Sequence, residues 1–166
     1  ETNILGTSNV IDGAISNNVK SLVLLSTDKS VYPINAMGMS KGLAEKILLS
    51  KSTSNHNLNT VLCATRYGNV MGSRGSVIPL FIDQIKKNKS LTITDPNMTR
   101  FLMSLNESID LVLHAFEIGD QGDIFIKKSS ATTIKNLATA LIEIFNSNSK
   151  IKIIGTRHGE KLYETL

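Results

Sequence analysis

Two short apolar runs, each followed by a polar loop and then by a stretch with helical spacing, constrain the fold of this chain most. The first run is Ser21 to Ser26 and the second is Thr60 to Arg66. Continuous apolar runs of this length are typical of parallel strands that are covered by helices on both faces. Strands that alternate with helices favour an α/β layered fold with right-handed crossovers.

The same alternation continues through the rest of the sequence. The helical spacing of Ile4, Val10 and Ile15 predicts that the chain begins inside a helix, which the Asn17-Asn18 pair then ends. Further helices are predicted at Ala36 to Lys51, with Asn35 as N-cap, Val77 to Lys87, Glu107 to Glu117 and Thr133 to Asn146, and further strands at Leu91 to Thr94, Gly122 to Lys127 and Ile151 to Ile154.

Composition narrows the class of protein. The 166 residues are 41% hydrophobic and 19% charged, which is typical of a soluble globular protein of one domain. No apolar run approaches the roughly 20 residues of a spanning helix, and no signal peptide is visible, so we expect no membrane and a cytoplasmic location. The net charge of +4 comes from scattered Lys and Arg residues, so nucleic acid is not expected as a partner.

Metal and disulfide chemistry are also not expected. Cys63 is the only cysteine and lies in the second predicted strand, where it has no partner for an intramolecular disulfide. The three histidines, His56, His114 and His158, show no metal-ligand spacing with Cys or carboxylates. The sequence therefore predicts no metal site.

Four long segments resemble one known family. They are Ser26 to Lys41, Arg66 to Pro79, Asp95 to Phe101 and Thr156 to Glu164. The first resembles the active-site segment of extended short-chain dehydrogenases/reductases. Together the segments are similar to bacterial polysaccharide-biosynthesis proteins of the UDP-N-acetylglucosamine 4,6-dehydratase/5-epimerase type, often labelled UDP-glucose 4-epimerases. The resemblance spans Thr2 to Leu166.

The resemblance implies a fold, a cofactor and a substrate. The expected fold is the C-terminal portion of a Rossmann-like doubly wound parallel sheet over residues 1–76, and a small, mainly substrate-binding subdomain, interleaved with the sheet, over residues 77–166. The cofactor would be NAD or NADP and the partner a UDP-sugar, used for capsule or lipopolysaccharide precursors by a homo-oligomer. The G-x-G-x-x-G turn that holds the cofactor pyrophosphate does not occur here, so a fragment that lacks the preceding segment is expected.

The active-site segment departs from the superfamily pattern at one position. Where a Tyr usually stands four residues before a Lys, this chain has Met37 and Lys41, and a thioether cannot transfer the proton. By resemblance, Lys29 is expected to act as the base and Asp28 as the acid of an elimination, with Ser26 or Thr27 bonding near the sugar C4 oxygen. Alternatives remain open: a solvated turn for Asp28-Lys29, core packing for Met37 and a solvated helix lysine for Lys41. Tyr32 could supply the missing phenol from its loop or serve only in packing.

The remaining expected contacts fall into two groups. Ser26, Lys41 and Tyr67 are expected to bind the cofactor. The residues expected to bind the substrate are Asn69, Arg74 and Ser76 in the Gly-rich loop, Arg100 and Arg157 as grips for the diphosphate, and Glu160, which would bond the ribose or orient Arg157.

Two rival functions stay open at the level of sequence. The closer one is 4-epimerisation of UDP-glucose or UDP-N-acetylglucosamine. The other is a non-enzymatic remnant of a split gene, which the missing Gly-rich turn favours and the four intact segments oppose.

Overall fold

The computed structural model describes residues 1–54 and 59–166. His56 and the centre of the loop predicted between Ser52 and Asn59 lie outside the described residues. The chain divides into two compact units. Unit 1 comprises Glu1–Gly68, Asn106–Lys128 and Thr165–Leu166, and unit 2 comprises Asn69–Leu105 and Ser129–Glu164.

Each helix is followed along the chain by one strand or by two successive strands, so the predicted alternation holds in outline. A π-helical turn, Thr2–Gly6, leads into the first helix, and a 3-10 turn, Asp28–Ser30, follows the first strand. The elements in chain order are α1 (Thr7–Ser16), β1 (Ser21–Thr27), α2 (Ala36–Ser54), β2 (Val61–Tyr67), β3 (Asn69–Val70), α3 (Val77–Lys86), β4 (Leu91–Ile93), β5 (Thr99–Met103), α4 (Leu105–Ile118), β6 (Ile124–Ile126), β7 (Ala131–Thr133), α5 (Ile134–Ile144) and β8 (Ile151–Ile153).

Unit 1 is built on a parallel sheet in the order β1-β2-β6. The pairing of β1 with β2 runs from Ser21 opposite Val61 to Thr27 opposite Tyr67. Ile11 of α1, Leu48 of α2 and Leu62 of β2 form a buried core beside this sheet. The α/β class and the parallel sheet are therefore confirmed.

Local signals in the sequence explain where the helices of unit 1 begin and end. Asn18, just after α1, has a left-handed backbone with φ 49°, a conformation that Asn tolerates and that stops a helix. The Asn35 side chain accepts a hydrogen bond from the Gly38 backbone N–H at 2.9 Å, so its predicted role as N-cap of α2 is confirmed. The helix then continues to Ser54, three residues beyond the predicted end.

Unit 2 contains the sheet β3-β5-β7 and the parallel pair β4-β8. Its core lies between α3, α5 and β4 and is made of Phe81, Ile85, Leu91, Ile93, Met98, Ile134, Ala138 and Leu141. Strand β5, antiparallel to β7, was not predicted from the sequence. Its partner β7 has only three residues, Ala-Thr-Thr, which carry no apolar alternation.

The two units interleave along the chain rather than meeting at one boundary. The sequence predicts a mainly substrate-binding subdomain from residue 77 onward that is interleaved with the sheet; the chain passes between the two units after Gly68, Leu105, Lys128 and Glu164. Among the described residues, no helix is long and apolar enough to cross a membrane.

Candidate active site

The carboxyl ends of β1 and β2 bring the first group of predicted site residues together in unit 1. Thr27 and Tyr67, the last residues of the two strands, are register partners. The 3-10 turn Asp28–Ser30 follows β1 directly. In a parallel α/β sheet, this edge is where ligands bind.

Asp28 is not a solvated turn residue, because it is 0% exposed. Its Oδ1 atom accepts hydrogen bonds from Thr27 Oγ1 at 2.9 Å and from Lys29 Nζ at 2.9 Å. Its Oδ2 atom is buried and has no hydrogen-bond partner among the residues that the structure describes. A buried carboxylate oxygen without a donor is costly unless a further group reaches it. The solvated-turn alternative is therefore wrong for Asp28.

Ser26, by contrast, is directed into a buried polar cluster that sequence analysis missed. Its hydroxyl makes a short hydrogen bond to Glu45 Oε1 of α2. Arg66 of β2 holds the same carboxylate through two hydrogen bonds, Nε to Oε1 at 3.2 Å and Nη2 to Oε2 at 2.6 Å. Of the two hydroxyls considered for the sugar C4 oxygen, the contact with Asp28 favours Thr27.

The charge state of Glu45 follows from these contacts. Burial alone would raise the pKa of the Glu45 carboxyl, but hydrogen bonds from Arg66, Ser26 and Ser30 and the Arg66 charge outweigh it and lower that pKa below 4.5. A bidentate guanidinium is well matched to a carboxylate. The cluster could have been suspected from an Arg at the end of an apolar strand, since such a residue requires a counter-ion.

Helix α2 and the turn before it carry the other catalytic candidates of unit 1. Met37 is 44% exposed, so core packing does not explain it. Lys41 donates a hydrogen bond from Nζ to the Leu25 carbonyl oxygen at 2.9 Å, so the ammonium is anchored to β1 instead of being merely solvated. Tyr32 is 78% exposed, which excludes packing as its role, and has a left-handed backbone with φ 44°.

Tyr67 is half-buried at the end of β2, and burial raises the pKa of its phenol. A phenol with a raised pKa remains protonated near neutral pH and can donate a hydrogen bond to a ligand. It is therefore suited to bind a ligand rather than to supply a phenolate base.

Unit 2 contains a cavity of about 320 Å³ that gathers most of the predicted substrate-binding residues. Five of the six line it, namely Asn69, Ser76, Arg100, Arg157 and Glu160, whereas Arg74 is exposed and does not. Phe81, Met98 and Ile134 contribute apolar walls. An apolar cavity with a few convergent polar groups is the usual form of a small-molecule site.

The polar groups of this cavity differ in the hydrogen bonds that they already make within the chain. Arg100 donates hydrogen bonds to the Thr99 carbonyl at 2.7 Å and to Met98 Sδ at 2.9 Å. Glu160 Oε2 accepts from the Arg157 backbone N–H at 3.2 Å, which supports the alternative that Glu160 orients the Arg157 segment. Ser76 precedes α3, and its Oγ atom is buried without a hydrogen-bond partner in the described part of the chain.

The Gly-rich loop before α3 owes its glycines to backbone conformation. Gly72 and Gly75 have φ of 74° and 77°, values that L-residues adopt only with strain. A Cβ atom at either position would meet nothing within 4 Å. The turn therefore requires these glycines for their dihedral angles and not for close packing against protein.

Within the described ranges, 1–54 and 59–166, no group of three or more His, Cys, Asp or Glu side chains could hold a metal ion. Cys63 is a free thiol and is buried in β2.

Comparison with known proteins adds a family and a curated relative. A family model described as polysaccharide biosynthesis protein matches residues 1–166. A protein of Rickettsia rickettsii (strain Sheila Smith) named UDP-glucose 4-epimerase is 65% identical over 165 residues, which cover 99% of this chain and 48% of the relative. The chain thus spans about half the length of this relative.

Three solved structures share the fold. Pen from Bacillus thuringiensis has a TM-score of 0.92 and 43% identity, covering 98% of this chain and 52% of that one. The dTDP-glucose 4,6-dehydratase DesIV from Streptomyces venezuelae, solved with NAD, has a TM-score of 0.89 and 20% identity over 99% of this chain and 56% of that one. The UDP-glucuronic acid 4-epimerase from Bacillus cereus, solved with UDP-glucuronic acid and NAD, has a TM-score of 0.84 and 20% identity over 97% and 57%. At this identity the last two show the fold alone.

Proposed function

The chain belongs to the polysaccharide biosynthesis protein family, and on that basis we propose that it takes part in NAD(P)-dependent modification of a UDP-sugar. The favoured reaction is 4,6-dehydration of UDP-N-acetylglucosamine with 5-epimerisation. The observation that carries the proposal is the cavity of unit 2, which gathers five residues expected to bind a nucleotide diphosphate sugar.

The charges of this cavity suit such a ligand. Arg100 and Arg157 supply permanent positive charge for a diphosphate, and planar guanidinium groups can bond two phosphate oxygens at once. Ser76 adds a hydroxyl whose oxygen has no hydrogen-bond partner within residues 1–54 and 59–166. The apolar walls would cover the flat faces of a nucleotide base.

The residues at the carboxyl ends of β1 and β2 fit the nicotinamide ribose end of a dinucleotide. The Lys41 ammonium has three N–H donors. One is used in the hydrogen bond to the Leu25 carbonyl oxygen, so another can bond a ribose hydroxyl. Tyr67 is half-buried and is the register partner of Thr27 in the β1–β2 pair. It would bond near the same ribose. A nicotinamide dinucleotide held by these residues would supply the hydride acceptor and donor that the reaction requires.

Asp28 and Lys29 supply the acid and the base. The two side chains lie in contact, with Lys29 Nζ 2.9 Å from Asp28 Oδ1. In the proposed reaction the amine of Lys29 takes the C5 proton of the sugar, while the carboxylic acid of Asp28 protonates the departing C6 hydroxyl.

Thr27 is expected to bond near the sugar C4 oxygen. Thr27 is the last residue of β1, and its hydroxyl donates a hydrogen bond to Asp28 Oδ1. It therefore lies next to the proposed acid. Met37 cannot exchange a proton, and the exposed phenol of Tyr32 is our candidate to replace the usual Tyr.

A second reaction is favoured by the name of the curated relative, UDP-glucose 4-epimerase. Epimerisation at C4 returns the hydride to C4 itself and loses no water. Mass spectrometry therefore separates the two reactions, since dehydration gives a product lighter by one water molecule and epimerisation leaves the mass unchanged.

The activity test uses a chimera in which residues 1–166 replace the matching segment of the Rickettsia rickettsii relative. The chimera is incubated with NAD and, in parallel, with UDP-N-acetylglucosamine or UDP-glucose. Loss of water from the first substrate supports dehydration, and a change of configuration at constant mass supports epimerisation. Absence of both reactions, with the parent relative active under the same conditions, would refute the proposal.

Binding is tested separately on the 166-residue chain by titration with UDP, followed by NMR. The Arg100→Met variant should bind UDP about tenfold more weakly, because a charge-assisted hydrogen bond contributes about 1.5–3 kcal/mol. Lys87→Met removes the same charge from the exposed end of α3 and is the matched control. Equal affinities of the two variants would remove Arg100 from the proposed site.

A further inference from the structure

One face of α2 lies directly beneath the turn that carries Asp28 and Lys29. Gly38, Gly42 and Glu45 are spaced by four and three residues, so they share one side of the helix. All three meet the segment from Ser26 to Ser30. None of the three is among the residues that the sequence assigns to the site.

Gly38 permits a backbone approach that no other residue would allow, and Gly42 permits a close approach that a larger residue would disturb only slightly. A Cβ atom at Gly38 would lie 2.2 Å from the Lys29 carbonyl oxygen, far inside contact distance, and the obstacle is backbone. A Cβ atom at Gly42 would lie 3.3 Å from the Ser30 carbonyl oxygen, which is tight but tolerable after a small shift. The turn therefore rests on bare helix backbone at two successive positions.

Glu45 fixes the far side of the same turn through hydroxyl groups. Ser30 Oγ lies 2.7 Å from Glu45 Oε1 and 2.6 Å from the Thr27 carbonyl oxygen. Ser26 bonds the same carboxylate oxygen, so the residues on both sides of Thr27–Lys29 are tied to one side chain. Arg66 in turn holds that side chain from β2.

We infer that Gly38, Gly42 and Glu45 form a seat on α2 that sets the position of Asp28 and Lys29, and that all three are positioning residues. This inference rests on the proposed roles of Asp28 and Lys29 in catalysis. Two side chains that must each reach a defined atom of one substrate require a fixed backbone. The seat supplies it by contact at the glycines and by hydrogen bonds at Glu45.

The contact that a Cβ atom would make at Gly38, rather than the mere presence of glycine in a helix, is the evidence for such a role. Glycine inside a helix destabilises it relative to alanine, so an interior glycine without a packing reason is disfavoured. Gly13 of α1 is a contrasting case, because a Cβ atom there would meet nothing within 4 Å. Gly13→Ala is therefore a matched control for Gly38→Ala.

The test compares Gly38→Ala, Gly42→Ala and Gly13→Ala in the 166-residue chain by NMR. The Val31 amide, which donates to the Asp28 carbonyl at 3.1 Å and closes the turn, reports on it. In Gly38→Ala, hydrogen exchange of this amide should accelerate about tenfold or more, with shifts concentrated in residues 28–31. Gly42→Ala should give a smaller change in the same residues, and Gly13→Ala should give none there.

Two outcomes would overturn the inference. One is an unchanged Val31 amide in Gly38→Ala; the other is a change spread evenly over unit 1, which would mean simple loss of stability. If Gly38→Ala does not fold, the Gly42→Ala spectrum tests the inference instead, since a Cβ atom at Gly42 requires only a small shift of the Ser30 carbonyl.

The same substitution in the chimera separates this inference from the proposed function. With an active chimera, Gly38→Ala should lower kcat at least tenfold and leave KM for the UDP-sugar within about twofold, because Asp28 and Lys29 would act on the reaction and not on affinity. A chimera that is inactive without any substitution would refute the proposed function. The NMR comparison would still test, independently, whether Gly38 sets the position of the turn.

Discussion

Replacing Glu45 by Gln should cost unit 1 about 3 kcal/mol of its free energy of unfolding. The substitution keeps the shape of the side chain but leaves the Arg66 guanidinium, whose side chain is 16% exposed, without a counter-ion. Removing one partner of a buried ion pair typically costs 3–5 kcal/mol. The lower end applies here because Arg66 retains some contact with solvent.

Cys63 provides an assay that is specific to unit 1. It is the only cysteine in the chain and is fully buried in β2. Burial, together with the charge of Asp123, raises the pKa of its thiol, so the folded state reacts slowly with thiol reagents. The labelling rate therefore reports the opening of unit 1, and at neutral pH it should rise about a hundredfold in Glu45→Gln.

The effect should depend on pH with a defined sign. The pKa of Glu45 is lower in the folded state than its ordinary value of 4.5, so its contribution is complete above that value and is lost as pH falls through the folded pKa. The difference between wild type and Glu45→Gln should shrink below about pH 4.5.

The control is Asp12→Asn, which disrupts the exposed ion pair between Asp12 of α1 and Lys51 of α2. Exposed pairs contribute about 0–1 kcal/mol, so labelling should change at most fivefold. A cost of less than about 1 kcal/mol for Glu45→Gln would refute the view that the cluster stabilises unit 1. A loss that does not diminish in acid would refute the assigned charge state.

Three further predictions concern the cofactor, the base and the open strand edge. The 166-residue chain alone should bind NAD or NADP negligibly, since it has no G-x-G-x-x-G turn; a dissociation constant in the low micromolar range by calorimetry would contradict this. Lys29→Ala in the chimera should lower turnover at least tenfold with unchanged UDP-sugar affinity, and a variant that keeps more than about a tenth of turnover would exclude Lys29 as the base. Among the described strands β1 pairs only with β2, and its unprotected edge should cause self-association. Leu25→Lys should reduce it in light scattering and the control Ile144→Lys should not, while a monomeric wild type would refute the idea.

The order and type of the main elements could be predicted because each depends on local pattern. The apolar runs at β1 and β2 are long enough to be recognised without their partners, and Asn35 identifies the start of α2 by its own chemistry. Strand β5 and its partner β7 could not be predicted in this way. They are stabilised as an antiparallel pair, and the three residues of β7 have no strand pattern of their own.

The site residues that belong to a recognisable motif could be predicted from the sequence. Residues whose role depends on a contact with a residue far away in the sequence could not. Five of the six residues expected to bind substrate line one cavity, although they come from segments separated along the chain. Glu45 could not be identified, because on α2 it resembles a surface residue until Arg66, 21 residues later, is placed opposite it. Similarly, Gly38 lies in the segment that resembles an active site, but the sequence does not show that its missing side chain matters; the Lys29 carbonyl beside it shows this. Residues that act through backbone proximity leave no local pattern, and for this reason the seat of the Asp28 turn emerges only from the folded chain.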